Sequence, residues 1–266
     1  MKFGNSTLIM GILNVTPDSF SDGGQFNSVD SALNQAKLLV AQGADILDIG
    51  GQSTRPGHKE IPLEEELRRV IPVIEKISKE LDCIISIDTY RYEVADAALQ
   101  AGAHIINDVW GLQKDNGEMA KVAAKHNAIV VAMHNQDTKE YSEDIILCIK
   151  QFFKKTFQIA ERNGLDRNKI IIDPGIGFGK GYSENIEVIN RLDELTQIAP
   201  LLLGVSKKGF IGKDLNLTPD ERVEGTIAVN ILGISKGVKI IRVHNVYEHK
   251  RALAIADKII YLQKNI

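Results

Sequence analysis

Eight short apolar runs in this sequence each end on a polar or charged group. In chain order the groups are Asn14; Ser53, Thr54 and Arg55; Asp88; Asn107 and Asp108; His134 and Asn135; Asp173; Ser206, Lys207 and Lys208; and Arg242 with His244. Carboxylate and amide oxygens accept hydrogen bonds. Asp88, Asn107 and Asp173 therefore suit a neutral ring with adjacent N–H donors, such as an aminopyrimidinone edge. Arg55, Lys208, Arg242 and His244 donate and carry positive charge, as a phosphate or diphosphate requires. The set is bipolar, with acceptors for a base-like ring and cations for an anion. No Ser, Cys or His stands in an arrangement that suggests a covalent nucleophile.

Taken singly, most of these residues have a plainer role. Asp88 and Asp173 could cap the helices that follow them, and Asn107 could pin a turn. Arg242 and His244 alternate around Val243 and so share one face of a strand. Asp48 lies inside an apolar run and reads as a structural interior residue. Glu64, Glu65 and Glu66 open a helix, where acidic side chains favour the dipole, and read as a solvated face. Gly175, Gly177 and Gly179 resemble a nucleotide loop, but no lysine followed by serine or threonine completes it; close backbone approach to a ligand explains them. The weight lies in all eight tips being polar, because stability alone asks nothing of them.

The elements that must position these tips are legible in the spacing. Runs 7–13, 45–50, 83–88, 103–107, 128–133, 169–173, 200–205 and 238–243 are continuous and rich in β-branched residues, as strands buried on both faces should be. Helical stripes lie between them, at 62–81 with Pro62 at its start and Pro72 inside, and at 142–163 with Gly164 ending it. Thr218-Pro219-Asp220-Glu221 is a capping box with proline at its first position, opening another helix. Segments 28–42, 91–101, 117–126, 183–197 and 246–263 fit the same pattern. Gly43, Gly102 and Gly237 each stand between a helix end and a strand, where a left-handed cap suits glycine. Strand and helix alternate eight times with no linker. The economical architecture is an α/β protein, one (β/α)8 TIM barrel spanning 1–266 as a single domain. An open doubly wound sheet is the alternative, but Asn14-Val15-Thr16-Pro17 replaces the glycine-rich turn expected there. In a barrel, chemistry sits on the loops after the strands, which is where the polar tips fall.

The chain has 266 residues, 44% of them hydrophobic and 25% charged, with a formal net charge of −3. That balance argues against a nucleic-acid partner. No apolar run approaches the roughly 20 residues that span a bilayer. The first residues lack a signal peptide's apolar region, so a cytoplasmic location is expected. Cys83 and Cys148 read as buried free thiols.

The stretch GILNVTPDSFSDGG, 11–24, passes from strand into a polar loop. Together with GGQSTRPG, ISIDTYR, IINDVWG, IIDPGIGFGK, GVSKKGFIG and IIRVHNV, in that order, it resembles the motifs of the dihydropteroate synthases across essentially the whole chain. The resemblance implies a TIM barrel that condenses a dihydropterin-hydroxymethyl diphosphate with p-aminobenzoate, releasing pyrophosphate. It implies that Asp88, Asn107, Met133, Asp173 and Lys208 hold the pterin. Thr54, Arg55, Arg242 and His244 would hold the diphosphate, Val243 would be among the substrate-binding residues, and Asn14 would help bind Mg2+. Phe20 and Pro56 would shape the aminobenzoate pocket, where sulfonamides compete. Asp18, Arg55 and Lys208 would carry the chemistry, Asp18 from a lid that also holds Asp22. A homodimer through the outer helices is also implied. Two residues depart from the pattern: Gln52, where Glu or a small residue is expected, and Lys207, where Arg is usual. A methyltetrahydrofolate-binding methyltransferase barrel and an inactive pterin binder are the rival readings.

Overall fold

A computed structural model describes residues 3–15, 25–52 and 60–262. Its strands are β1 (Leu8–Asn14), β2 (Ile46–Gly50), β3 (Ile84–Asp88), β4 (Ile105–Asp108), β5 (Ile129–Met133), β6 (Ile170–Asp173), β7 (Leu202–Leu203) and β8 (Ile240–Val243). All ladders are parallel, in the order β6-β5-β4-β3-β2-β1-β8-β7. A parallel bridge between Ile172 and Leu201, with Ile172 N–H donating to the Pro200 carbonyl at 2.9 Å, joins β6 to β7 and closes the barrel.

The helices are α1 (Gln25–Ala41), α2 (Leu63–Glu80), α3 (Tyr92–Gln100), α4 (Glu118–Lys125), α5 (Ile145–Arg162), α6 (Tyr182–Asn190), α7 (Leu192–Leu195), α8 (Gly209–Gly212), α9 (Val223–Ser235) and α10 (Val246–Leu262). The expected helix at 183–197 is split at Arg191, whose backbone (φ −114°, ψ 24°) leaves the helical region while its guanidinium binds Asp144, Glu187 and Glu194. The Thr218 capping box forms, but it closes a 3₁₀ turn, Pro219–Arg222, ahead of α9. The three repeated glycines, Gly43, Gly102 and Gly237, have φ of 102°, 113° and 103°, as a helix-ending cap requires.

Alternation along each strand separates two cores. Ile9, Leu47, Ile85, Ile106, Val130, Ile172, Leu203, Ile241 and Val243 face outward into the layer under the helices. Met10, Ile46, Ile105, Val131, Ile171, Leu202 and Ile240 face inward and fill the barrel, with Phe3, Leu8, Ile84 and Ile129 packed against them. Two residues further along, the same inward parity places Asp48, Asn107, Met133, Asp173 and Arg242 above that apolar layer, with Asp88 four residues beyond Ile84.

Two expectations are corrected. Cys83 and Cys148 are free but only half-buried. Glu66 is not part of a solvated face; it is 2% exposed, accepting from Thr89 Oγ1 at 2.8 Å and from Arg91 Nη1 at 2.9 Å. Burial pushes its carboxyl above the usual range against the pull of Thr89 and Arg91. Glu65 does stay at the surface, on Arg68 and Arg69.

Candidate active site

The floor of the barrel mouth is a charge-paired cluster. Arg242, from β8, donates through Nε to Asp48 Oδ2 and through Nη2 to Asp88 Oδ2, each at 2.6 Å. Asn107 Nδ2 donates to Asp48 Oδ2 at 3.0 Å. Burial opposes the Arg242 charge, but Asp48 and Asp88 more than offset it and hold the guanidinium above its ordinary value. Burial pushes the Asp88 carboxyl up to about 7; Arg242 resists this, while Asp48 adds to it. Asp48 Oδ1, Asp88 Oδ1 and Ser86 Oγ are buried and have no hydrogen-bond partner. Buried oxygens in that state are acceptors awaiting donors.

Asp173, across the mouth, is held differently. Its Oδ1 accepts from Gly175 N–H at 2.7 Å, and its backbone carbonyl accepts from His134 N–H at 2.8 Å. Burial raises its carboxyl above the usual range, with the Lys208 charge pulling the other way. Gly204 makes room for it: a Cβ there would lie 3.5 Å from Asp173 Oδ2. Met133 pairs in register with Asp173 and is 4% exposed at the end of β5. Lys208 Nζ donates to the Ile176 carbonyl and lies 4.8 Å from the centre of the Phe178 ring.

Gly175 and Gly179 lie against the protein's own main chain, and Gly177 against the Lys208 side chain. Gly175 has φ 67°, and a Cβ there would stand 1.9 Å from the His134 carbonyl oxygen. Only glycine fits, and no ligand is needed to explain it. Lys180 follows, with Nζ 2.8 Å from His134 Nδ1 and donating at 3.1 Å to each of the Gly175 and Phe178 carbonyls. Burial pulls the Lys180 ammonium down to about 7, with Asp173 opposing and Lys208 assisting.

His244, inward after β8, has Nδ1 2.9 Å from Ser206 Oγ, which also accepts from the His244 N–H. Val243 faces the helices, so its side chain is in the outer core and only its backbone borders the mouth. Asn14 is exposed at the end of β1, its Oδ1 3.9 Å and Asp88 Oδ2 3.8 Å from where a Cβ on Gly50 would stand. Asp18, Phe20, Thr54, Arg55 and Pro56 lie outside the described residues. Gln52 donates to Tyr90 Oη at 3.1 Å and accepts from Ile61 N–H at 3.2 Å. Lys207 turns outward to Asp220 at 2.7 Å, so its charge does not enter the floor.

The plain roles weighed for three residues do not materialise. Thr89, rather than Asp88, accepts from the first N–H of the α3 cap, and Asp108, rather than Asn107, pins its turn by accepting from Trp110 and Leu112 N–H. Asp173 holds a turn, not a helix end. Asp48, read as structural, belongs to the floor. Ser206, one of the polar strand tips, holds His244, whereas Lys180, in the sequence only the last residue of the GIGFGK stretch, is drawn in by His134 and two main-chain carbonyls.

Fold and floor together define a (β/α)8 barrel with a buried, charge-paired polar cluster at the C-terminal ends of its strands. The sequence profile of the family described as "Pterin binding enzyme" matches residues 10–244. Dihydropteroate synthases of Clostridium beijerinckii and Bacillus subtilis are 48% and 49% identical, each over 261 residues, covering 97% and 98% of this chain and 96% and 91% of theirs. The Clostridium difficile dihydropteroate synthase crystallised in the presence of pteroic acid superposes with a TM-score of 0.94 at 55% identity, covering 97% of this chain and 98% of that one. The Xanthomonas albilineans enzyme in complex with 7,8-dihydropteroate superposes at 0.87 with 38% identity over 96% and 94% of the chains. The Yersinia pestis enzyme with a sulfonamide drug complex superposes at 0.89 with 38% identity over 97% and 95%. The chain belongs to the pterin-binding enzyme family and, within it, to the dihydropteroate synthases.

Proposed function

We propose that the chain condenses a (7,8-dihydropterin-6-yl)methyl diphosphate with 4-aminobenzoate to give 7,8-dihydropteroate and pyrophosphate. The observation that carries this reading is the pair of buried, unpartnered Oδ1 atoms of Asp48 and Asp88, whose Oδ2 atoms are set on one guanidinium. An aminopyrimidinone edge supplies the N–H donors that such oxygens lack. Asn107, Asp173 and Lys208 complete the polar ring around it, and Met133 adds an apolar wall.

The reaction breaks a carbon–oxygen bond at the pterin methylene and forms a carbon–nitrogen bond to the aromatic amine. Positive charge develops on the pterin methylene as the diphosphate departs, and Asp18 is the carboxylate proposed to stabilise it. Arg55, Thr54 and His244 are assigned to the diphosphate. Arg242 joins them from below: its guanidinium has five N–H donors, of which Asp48 and Asp88 take two. The residues fit a magnesium ion delivered with the diphosphate. Asn14 offers a hard oxygen, and the described residues contain no group of three or more His, Cys, Asp or Glu that would hold a metal alone. When bound, Mg2+ neutralises charge on the departing diphosphate.

Turnover by purified protein of the two substrates with Mg2+, read as dihydropteroate mass, tests the reading. Product should disappear on chelation and return on adding Mg2+. Bound pterin without product would move the reading to a methyltransferase or an inactive binder.

Sulfonamides are the expected inhibitors, competing with aminobenzoate beside Phe20 and Pro56. A cytoplasmic location is proposed; among the described residues no helix is long and apolar enough to cross a membrane. A homodimer is also proposed, because Ile255, Ile259 and Leu262 recur at helical spacing on α10 and are 61%, 60% and 66% exposed, with Leu232 at 56% on adjacent α9. Light scattering should give twice the chain mass, and Ile259→Glu should halve it.

A further inference from the structure

Lys180 is 4% exposed, and all three ammonium protons have acceptors: His134 Nδ1 and the Gly175 and Phe178 carbonyls. His134 stays neutral, its value lowered to about 2 by burial and then by the Lys180 charge. The His134 ring packs edge-on against Phe152 at 4.9 Å and stacks on Tyr141 at 6.4 Å, and Tyr141 Oη donates to the Gly179 carbonyl at 2.8 Å. Between the two carbonyls that Lys180 grips stands Ile176, whose carbonyl seats the Lys208 ammonium. Gly177 N–H is held from the far side by Asn185 Oδ1 at 2.7 Å. A buried cation carries a desolvation cost that a methionine of similar length would avoid, so packing alone gives no reason for a charge here.

We propose that Lys180 is a positioning residue for the pterin subsite, locking the Gly175–Phe178 turn so that the Ile176 carbonyl holds Lys208 at the floor. This rests on the reading above, in which Lys208 touches the pterin. It assigns the last residue of the GIGFGK stretch a role in substrate affinity that acts through another side chain.

The test is a double-mutant cycle on the full chain, with 6-hydroxymethylpterin as the calorimetric probe. Lys180→Met should weaken pterin binding about tenfold and leave the KM for 4-aminobenzoate unchanged. In a Lys208→Ala background the same change should add less than about twofold. Losses that multiply, or an aminobenzoate KM that rises equally, would make Lys180 a general structural support and overturn the proposal. Should Lys180→Met fail to fold, His134→Phe keeps the ring packing and withdraws one acceptor. It should cost about threefold, again only where Lys208 is present, and full affinity would overturn the proposal. A wild-type chain that does not bind the probe would instead overturn the reading of the floor itself.

Discussion

Asp173→Asn should lower pterin affinity about a hundredfold and reduce dihydropteroate formation at least as much, with little change in Tm. The substitution conserves volume, so its effect is one of donor and acceptor. Asp173 Oδ1 accepts from Gly175 N–H at 2.7 Å, and Oδ2 faces the space left by Gly204. An asparagine keeps the first contact only by placing its NH2 where Oδ2 was, and in the proposed binding mode a pterin edge would present N–H groups of its own there. Donor then meets donor in a buried place, which costs more than a missing bond. Titrating the variant with 6-hydroxymethylpterin checks this directly; affinity within about threefold of wild type would remove Asp173 from the pterin subsite.

Arg242→Leu should be the other large effect, and it should change the pH dependence of stability as well as activity. Without the guanidinium, Asp48 and Asp88 face each other buried with no counter-charge, so kcat/KM should fall about a thousandfold and the fold should lose about 3 kcal/mol at neutral pH. The sign follows from Asp88. Its folded value, about 7, is raised above its ordinary 3.8. Its contribution to stability is therefore fully present below that ordinary value and is lost as pH rises through about 7. Removing Arg242 raises the folded value further and carries the loss to higher pH. Thermal melts should show the variant losing Tm more steeply than wild type between roughly pH 6 and 8. A Tm difference that stays constant with pH would sink the account, and unchanged kinetics would sink the assignment of Arg242 to the diphosphate.

Most of the barrel was legible because parallel strands covered on both faces must be apolar throughout, and such runs stand out between amphipathic helices. Run 200–205 promised six strand residues, yet only Leu202–Leu203 joins the ladder as a strand. Its end gives way to Gly204, where Asp173 comes close. The floor was half legible. Asp88, Asn107, Asp173 and Arg242 stood at strand ends, where a barrel places chemistry. Asp48 looked buried and therefore inert, although strand alternation puts it on the same inward face as Ile46. Glu66 could have been found: it lies one helical turn from Val70 and two from Val73 and Ile74, all buried on the stripe of α2. Lys180 could not, because two of its three partners are main-chain carbonyls, which carry no signature in the sequence.

The apolar layer from Met10 to Ile240, with Phe3 packed against it, fills the barrel below the floor. Among the described residues, that layer gives water no polar foothold below Asp48 and Asp88, so protons should reach them chiefly through the mouth. If a pterin covers the floor as proposed, proton exchange at Asp88 should slow for as long as the ligand stays. A sudden change of pH should then be felt sooner by the open enzyme than by the loaded one.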